Sequence, residues 1–142
     1  MTVEAGAALR GGEPRTDPAG HPRLLLIDDD EMVLRAITRM LRHDASVCGC
    51  TGPEAAEAAL DGGAHFDLLL TDLGLGVESG VDVLERLLAR FSAQVPRVGV
   101  FSGRPPTPEE RARLLALPQP SIIVLKPAGR AALVAALAGD HT

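Results

Sequence analysis

Residues 24–30 read Leu-Leu-Leu-Ile-Asp-Asp-Asp, so three carboxylates follow directly on a short apolar run. Three further apolar runs also end at a polar residue: 68–71 before Asp72, 98–101 before Ser102 and 122–125 before Lys126. Continuous apolar strands are typical of a parallel sheet covered on both faces, and such sheets place their sites at the carboxyl ends of the strands. Carboxylates, a hydroxyl and an ammonium at that edge predict a site for a cation and a phosphate.

The composition fits one globular domain, because 46% of the 142 residues are hydrophobic and a chain of this size can bury one core. The net charge of −5 and the lack of any Lys/Arg-rich stretch argue against nucleic-acid binding. No apolar run approaches the roughly 18 residues of a membrane span, and the N-terminus lacks the pattern of a secretory signal. We therefore expect no membrane contact and a cytoplasmic location.

The chain alternates between strand and helix patterns after residue 22. Residues 1–22 are rich in Gly, Pro and charge without periodicity, which predicts a disordered tail, and residues 23–139 form the expected domain. The predicted strands are about 23–27, 45–50, 67–71, 97–101 and 121–125, and the predicted helices include 31–43 and 128–138. Five such repeats predict an α/β fold with helices on both faces of the sheet.

Three helix starts carry capping patterns. Thr51 precedes Glu54 by three residues, a capping-box spacing. The Gly-rich segment 73–78 is expected to be a loop. Ser79 follows it and is predicted to cap the start of the third helix. Residues 107–110, Thr-Pro-Glu-Glu, combine a hydroxyl cap, a proline at the first helical position and an acid at the third.

The motifs resemble those of the receiver domains of bacterial response regulators, the phosphoacceptor modules of two-component phosphorelays. The resemblance covers about 23–138 and rests on five motifs in order. These are the Asp pair Asp28-Asp29, Asp72, Gly80 eight positions later, Ser102-Gly103 and Lys126-Pro127. The resemblance implies a flavodoxin-like, doubly wound (βα)5 fold whose five-stranded parallel sheet has the order 2-1-3-4-5.

The same resemblance implies a role for each motif residue. Asp72 would accept a phosphoryl group from a histidine kinase or histidine phosphotransfer protein. Mg²⁺ would be held by Asp28, Asp29, Asp72 and the backbone carbonyl of Gly74. Ser102 and Lys126 would contact the phosphoryl group, with Gly103 leaving space for the donor. The domain would phosphorylate and dephosphorylate itself rather than act as an enzyme on separate substrates, and would signal to a downstream protein, with a weak homodimer possible.

General chemistry agrees with these roles. Neighbouring carboxylates repel by about 1–4 kcal/mol per pair at effective dielectrics of 80 to 20, and Mg²⁺ takes oxygen ligands and bridges carboxylates to phosphate. A carboxylate can form an acyl phosphate, and the Lys126 ammonium can meet charge on the phosphoryl oxygens. We expect no role in the site for Asp30, which lies at the start of the first helix, where the helix dipole favours an acidic side chain.

Two positions depart from the family pattern. Gly76 stands where a proline is usual, so the segment 73–77 should be more mobile. Ile123 stands where the family has an aromatic residue that normally changes rotamer on phosphorylation, three positions before Lys126. The stiff segment 104–108, Arg-Pro-Pro-Thr-Pro, then leads into the fourth helix.

Two other function classes compete with the phosphoacceptor. A receiver-like interaction module could signal without phosphorylation, although such a module would more often have lost an acidic or Lys position. An aspartyl-phosphate hydrolase would usually carry a second Asp two residues after its nucleophile, and that position is Gly74.

Overall fold

The structure, a computed structural model, describes residues 20–76 and 78–139. Most of the predicted tail, residues 1–19, lies outside the described residues. The longer strands are β1 (Arg23–Ile27), β2 (Ser46–Cys50), β3 (Leu68–Thr71), β6 (Val98–Ser102) and β7 (Ser121–Leu125). The helices are α1 (Glu31–Met40), α2 (Pro53–Asp61), α3 (Gly80–Phe91), α4 (Pro108–Leu115) and α5 (Arg130–Ala138), and a 3₁₀ turn follows α3 at Ser92–Gln94.

The five longer strands form one parallel sheet of order β2-β1-β3-β6-β7. When only these five strands are counted along the chain, their order in the sheet is 2-1-3-4-5, as predicted. The two remaining strands do not join the sheet. Those strands, β4 (Gly74–Leu75) and β5 (Glu78–Ser79), pair only with each other and run antiparallel. The prediction of a plain loop at residues 73–78 was therefore wrong, since backbone pairing can occur in a segment too short to show a strand pattern.

Alternate residues of the central strands pack into two separate cores. Leu25 and Leu69 lie with the buried faces of α2, α3 and α4 on one side of the sheet. Leu24 and Leu68 lie with α1 and α5 on the other side. Because both faces are covered, the strands are apolar throughout rather than alternating, as the sequence pattern indicates. This doubly wound arrangement leaves the carboxyl ends of the strands at one open edge.

The capping predictions were right at two helices and wrong at one. The Ser79 hydroxyl accepts from the backbone N–H groups of Val81 and Asp82 at the start of α3. Thr107 and Glu110 form the complete capping box of α4. At α2, however, Gly52 is the N-cap and makes no side-chain cap hydrogen bond. The reason is that α2 begins at a proline directly after Gly52, which leaves the predicted cap, Thr51, one residue too early.

The ends of the first and last helices also differ from the prediction. Asp30 caps α1 by accepting from the backbone N–H of Met32 at 2.9 Å, which confirms its reading as a helix start. The helix ends at Met40 and the chain continues in turns to residue 44, instead of running to residue 43 as predicted. Helix α5 begins at Arg130, after Pro127 and the N-cap Gly129, instead of at residue 128. Within the described part of the chain, no helix has both the length and the apolarity to cross a membrane.

Candidate functional site

Three carboxylates meet at the carboxyl edge of the sheet. Ile27 is paired with Thr71 where β1 and β3 end, so the residues that follow, Asp28 and Asp72, are neighbours. The backbone N–H of Asp72 donates to the carbonyl of Ile27 at 2.9 Å, which extends this pairing into the site. One carboxylate oxygen from each of Asp28, Asp29 and Asp72 lies within 4.8 Å of the other two. The structure thus brings together the three side chains that the sequence assigned to a metal.

The three carboxylates differ in how much they are exposed. Asp28 is 1% exposed, Asp29 is exposed, and the Asp72 side chain is 19% exposed. The two oxygens of Asp28 are both engaged, because Oδ1 accepts from the backbone N–H of Asp30 at 2.9 Å and Oδ2 accepts from Lys126 at 2.6 Å. Two hydrogen bonds therefore hold Asp28 in place, whereas the Asp72 side chain remains partly exposed to solvent.

Lys126 provides the positive charge of the site. It follows β7, and its Nζ lies 2.6 Å from Oδ2 of Asp28 and 3.4 Å from Oδ2 of Asp72. Burial lowers the pKa of Lys126, but the hydrogen bonds and charges of Asp28 and Asp72 outweigh that effect, so its pKa is raised. The ammonium also lies 5.2 Å from the centroid of the Phe101 ring. Lys126 is consequently a fixed cation facing both carboxylates.

The arrangement fits a divalent, oxygen-seeking cation. Three carboxylates at −1 each and one ammonium at +1 leave a formal charge of −2 in a small volume. Mutual repulsion of the order of 1–4 kcal/mol per pair opposes this crowding, and a cation relieves it. The candidate ligand atoms of Asp28, Asp29 and Asp72 are all carboxylate oxygens, the ligand type that Mg²⁺ prefers. Gly74 follows Asp72 by two residues and is exposed in β4, where it pairs with Ser79, and the ligand role of its carbonyl stays a prediction.

Ser102 lies at the carboxyl end of the strand next to β3, the strand that leads to Asp72. It is the last residue of β6, 2% exposed, rather than the first residue after the strand as predicted. Its carbonyl accepts from the backbone N–H of Lys126 at 2.7 Å, and its hydroxyl accepts from the N–H of Arg104 at 3.3 Å. The hydroxyl hydrogen remains able to donate to an anion at the site. A Cβ at Gly103 would meet nothing within 4 Å, so the space beside Ser102 is open, and the role of Gly103 in admitting a donor stays a prediction.

Gly80 is required by the backbone that carries Asp72. Its N–H donates to the carbonyl of Leu73 at 2.7 Å, which brings the start of α3 against the site. A Cβ at Gly80 would lie 2.0 Å from the carbonyl oxygen of Asp72, far inside contact distance. The spacing of eight residues between Asp72 and Gly80 signals this close approach, although only the structure gives its cause.

Other site residues were missed in the sequence. The hydroxyl of Thr71, which is fully buried, donates to the carbonyl of Asp72 at 3.0 Å. Arg104 lies beside the Ser102 hydroxyl and pairs with Glu110 of α4. Both follow recognisable sequence signals, a polar residue that ends an apolar strand and an arginine directly after Ser-Gly.

Ile123, which stands where the family has an aromatic residue, is half-buried in β7. It lies opposite Val100 and packs on the core formed with α2, α3 and α4.

Residues 24–138 match the family model of the response regulator receiver domain. The match covers most of the chain, and the chain therefore belongs to this family. Among curated proteins, the chain is similar to the transcriptional regulatory protein PmrA of Pectobacterium parmentieri, with 34% identity over 64 residues. That alignment covers 45% of this chain and 29% of PmrA, so the chain corresponds to less than a third of the length of that relative.

Solved receiver structures share the fold at low sequence identity. A CheY-like receiver domain protein from Methanospirillum hungatei superimposes with a TM-score of 0.72 at 19% identity, over 84% of this chain and 92% of that protein. The isolated receiver domain of RcsB from Salmonella enterica serovar Typhimurium, solved with the phosphomimetic BeF₃⁻, gives a TM-score of 0.65 at 22% identity, over 86% and 92% of the two chains. These likenesses confirm the predicted fold class.

Proposed function

We propose that this receiver domain accepts a phosphoryl group on Asp72 in a Mg²⁺-dependent reaction and later loses it by hydrolysis. The observation that carries the proposal is the meeting of three carboxylates and one ammonium at the carboxyl edge of the sheet. Structural ion pairs balance their charges, whereas this cluster keeps a surplus of negative charge around a partly exposed carboxylate. A cation and a phosphoryl group are the partners that such a cluster suits.

The transfer step needs little covalent work from the protein. A carboxylate oxygen of Asp72 forms a bond to phosphorus as the bond between phosphorus and the donor's imidazole nitrogen breaks. In the later hydrolysis, a water oxygen bonds to phosphorus, the bond to the Asp72 oxygen breaks, and inorganic phosphate leaves while the Asp72 carboxylate is regenerated. Lys126 Nζ lies 3.4 Å from Asp72 Oδ2 and would oppose the charge on the phosphoryl oxygens, and the Ser102 hydroxyl would donate to one of them. Mg²⁺, held by Asp28, Asp29, Asp72 and the Gly74 carbonyl, would neutralise charge on the attacking and transferring oxygens.

Membership of the family supports the choice of partners. The donor would be a histidine kinase or a histidine phosphotransfer protein, and the phosphorylated domain would contact a downstream protein in the cytoplasm. The similarity to the regulator PmrA and to a receiver domain that was solved with a phosphoryl mimic agrees with this role. We do not expect separate substrates, and the domain would act on its own aspartate.

Intact-mass spectrometry after incubation with acetyl phosphate and Mg²⁺ tests the proposal. The wild-type chain should gain one phosphoryl group, and the adduct should be lost in base. Asp72→Asn should gain none, because an amide cannot form the acyl phosphate, while Asp30→Asn should behave as wild type. An adduct that persists in Asp72→Asn would move the acceptor to another carboxylate. A wild-type chain that gains no mass would favour the alternative, a receiver-like module that signals without phosphorylation.

A further inference from the structure

Arg104 occupies the rim of the site without a role in the proposed transfer. It follows Ser102 by two residues, and its backbone N–H donates to the Ser102 hydroxyl at 3.3 Å. Its side chain is 52% exposed. The pKa of Arg104 is raised, first by its hydrogen bond to Glu110 and also by the charge of Asp72. The guanidinium is therefore half-exposed, and it feels the negative charge of the proposed acceptor, Asp72.

Glu110 holds this guanidinium in a two-point contact. Arg104 Nη1 donates to Oε1 of Glu110 at 2.8 Å, and Nη2 donates to Oε2 at 3.0 Å. Oε1 also accepts from the backbone N–H of Thr107 at 2.8 Å, which is the Glu110 half of the α4 capping box. One carboxylate thus holds both the arginine beside the site and the first turn of α4.

We propose that Arg104 is a further phosphoryl-binding residue, which Glu110 holds beside the site until Asp72 is phosphorylated. This inference rests on the proposed function. A phosphoryl group offers three acceptor oxygens and nearly two negative charges, so it attracts a forked guanidinium more strongly than one carboxylate does. The guanidinium then moves from Glu110 to the phosphoryl group, and Glu110 keeps only its contact with the backbone of α4.

The exchange gives a route from Asp72 to the fourth helix. Residues 105, 106 and 108 are prolines, whose fixed φ limits how the connecting segment can absorb a displacement of Arg104. The displacement and the loss of the Arg104–Glu110 pair therefore reach the first turn of α4 together. Ile123, by contrast, is β-branched and has few rotamers, so strand β7 is poorly suited to a side-chain switch. Arg104 supplies a coupling that needs no aromatic residue there.

The test measures binding of beryllofluoride, which mimics a phosphoryl group on an aspartate, in the presence of Mg²⁺. By calorimetry, Arg104→Met should bind beryllofluoride about tenfold more weakly than wild type, the order expected for losing a charge-assisted contact. Its affinity for Mg²⁺ alone should not weaken, which separates phosphoryl binding from general damage to the site. Arg104→Lys should recover only part of the loss, since a lysine cannot form a fork.

Two further variants serve as controls. Arg90→Met removes another arginine with 52% side-chain exposure, which pairs with Glu57 and Asp61 between α2 and α3, and it should leave beryllofluoride affinity unchanged. Glu110→Gln keeps an acceptor for the cap but weakens the hold on Arg104, so it should bind beryllofluoride at least as tightly as wild type. In wild type the amide signals of Thr107 and Glu110 should shift on binding, and in Arg104→Met these shifts should shrink.

Three results would contradict the inference in distinguishable ways. Equal beryllofluoride affinities of wild type and Arg104→Met would overturn the inference about Arg104. The proposed function would still stand in that case, provided that acetyl phosphate forms an adduct at Asp72. Weaker binding by Glu110→Gln would also overturn the inference about Arg104, because a released Arg104 should then be free to bind. A wild-type chain that forms no adduct with acetyl phosphate overturns the proposed function, and the inference fails with it.

Discussion

Lys126 and Asp28 are 98 positions apart in the sequence, yet Nζ of Lys126 donates to Oδ2 of Asp28 at 2.6 Å. Lys126 is also the single lysine of the chain, so no other lysine can take its place. Because Asp28 is 1% exposed, its carboxylate depends on this contact for charge compensation. The pair joins the ends of β1 and β7, strands that are not neighbours in the sheet, and it closes the site from the β7 side.

Replacing Lys126 should destabilise the protein in a Mg²⁺-dependent way. Lys126→Met leaves the buried Asp28 carboxylate without its ammonium, and we expect a loss of about 2 kcal/mol in the free energy of unfolding. Excess Mg²⁺ should recover part of the loss, since a cation can replace the missing positive charge. Urea unfolding with EDTA and with Mg²⁺ measures both effects. Arg130→Met, which breaks the surface pair with Asp44, should cost much less than Lys126→Met because surface ion pairs contribute little to stability, and it should show no response to Mg²⁺.

Binding of Mg²⁺ to the native state should raise the melting temperature of wild type by mass action. At a concentration about 100 times the dissociation constant the stabilisation is about 2.7 kcal/mol. Asp29→Asn should lose most of this gain because one of the three clustered carboxylates is removed. Asp30→Asn is the matched control, since an asparagine caps a helix as well as an aspartate. Scanning calorimetry suits a chain without Trp or Tyr, and equal gains in the two variants would argue against the metal site.

A methyl group at Gly80 should disturb the acceptor itself. The new Cβ of Gly80→Ala would lie 2.0 Å from the carbonyl oxygen of Asp72, so the backbone must shift, at an expected cost of about 1–3 kcal/mol. Phosphorylation by acetyl phosphate should slow as Asp72 is displaced. Gly62→Ala, where a Cβ makes only ordinary contacts at 3.5 Å, should leave both properties nearly unchanged. A normal phosphorylation rate in Gly80→Ala would mean that the close approach does not position Asp72.

Glu110 should titrate at unusually low pH. Its hydrogen bond with Arg104 lowers its pKa from 4.5 to about 2, with the capping contact to Thr107 acting in the same direction. Because the folded-state pKa is depressed, this carboxylate contributes stability above pH 4.5, and the contribution is lost as the pH falls through about 2. The carboxyl carbon signal of Glu110 measures the midpoint, which should rise in Arg104→Met. A midpoint near 4.5 in wild type would show that the pair does not persist in solution.

Local patterns predicted most of the fold, because strands, helix starts and caps depend on residues close together in the sequence. The four apolar runs placed four of the five sheet strands, the pattern at 45–50 predicted the fifth, and Ser79 and Thr107 were recognised from their immediate neighbours. The failures were also local. Thr51 was displaced from the cap by a proline at the helix start, and the pair of two-residue strands after Asp72 is too short to leave a periodic signal.

The sequence by itself determined which chemical groups stand at the strand ends, and the motif order indicated the family. Only the tertiary structure decided how these groups meet, since sheet order and register set the distance from Lys126 to Asp28 and Asp72. It alone revealed the tight approach of Gly80 to the Asp72 carbonyl. The same holds for the pairing of Arg104 with Glu110, because Arg–carboxylate contacts depend on where a loop and a helix lie in space.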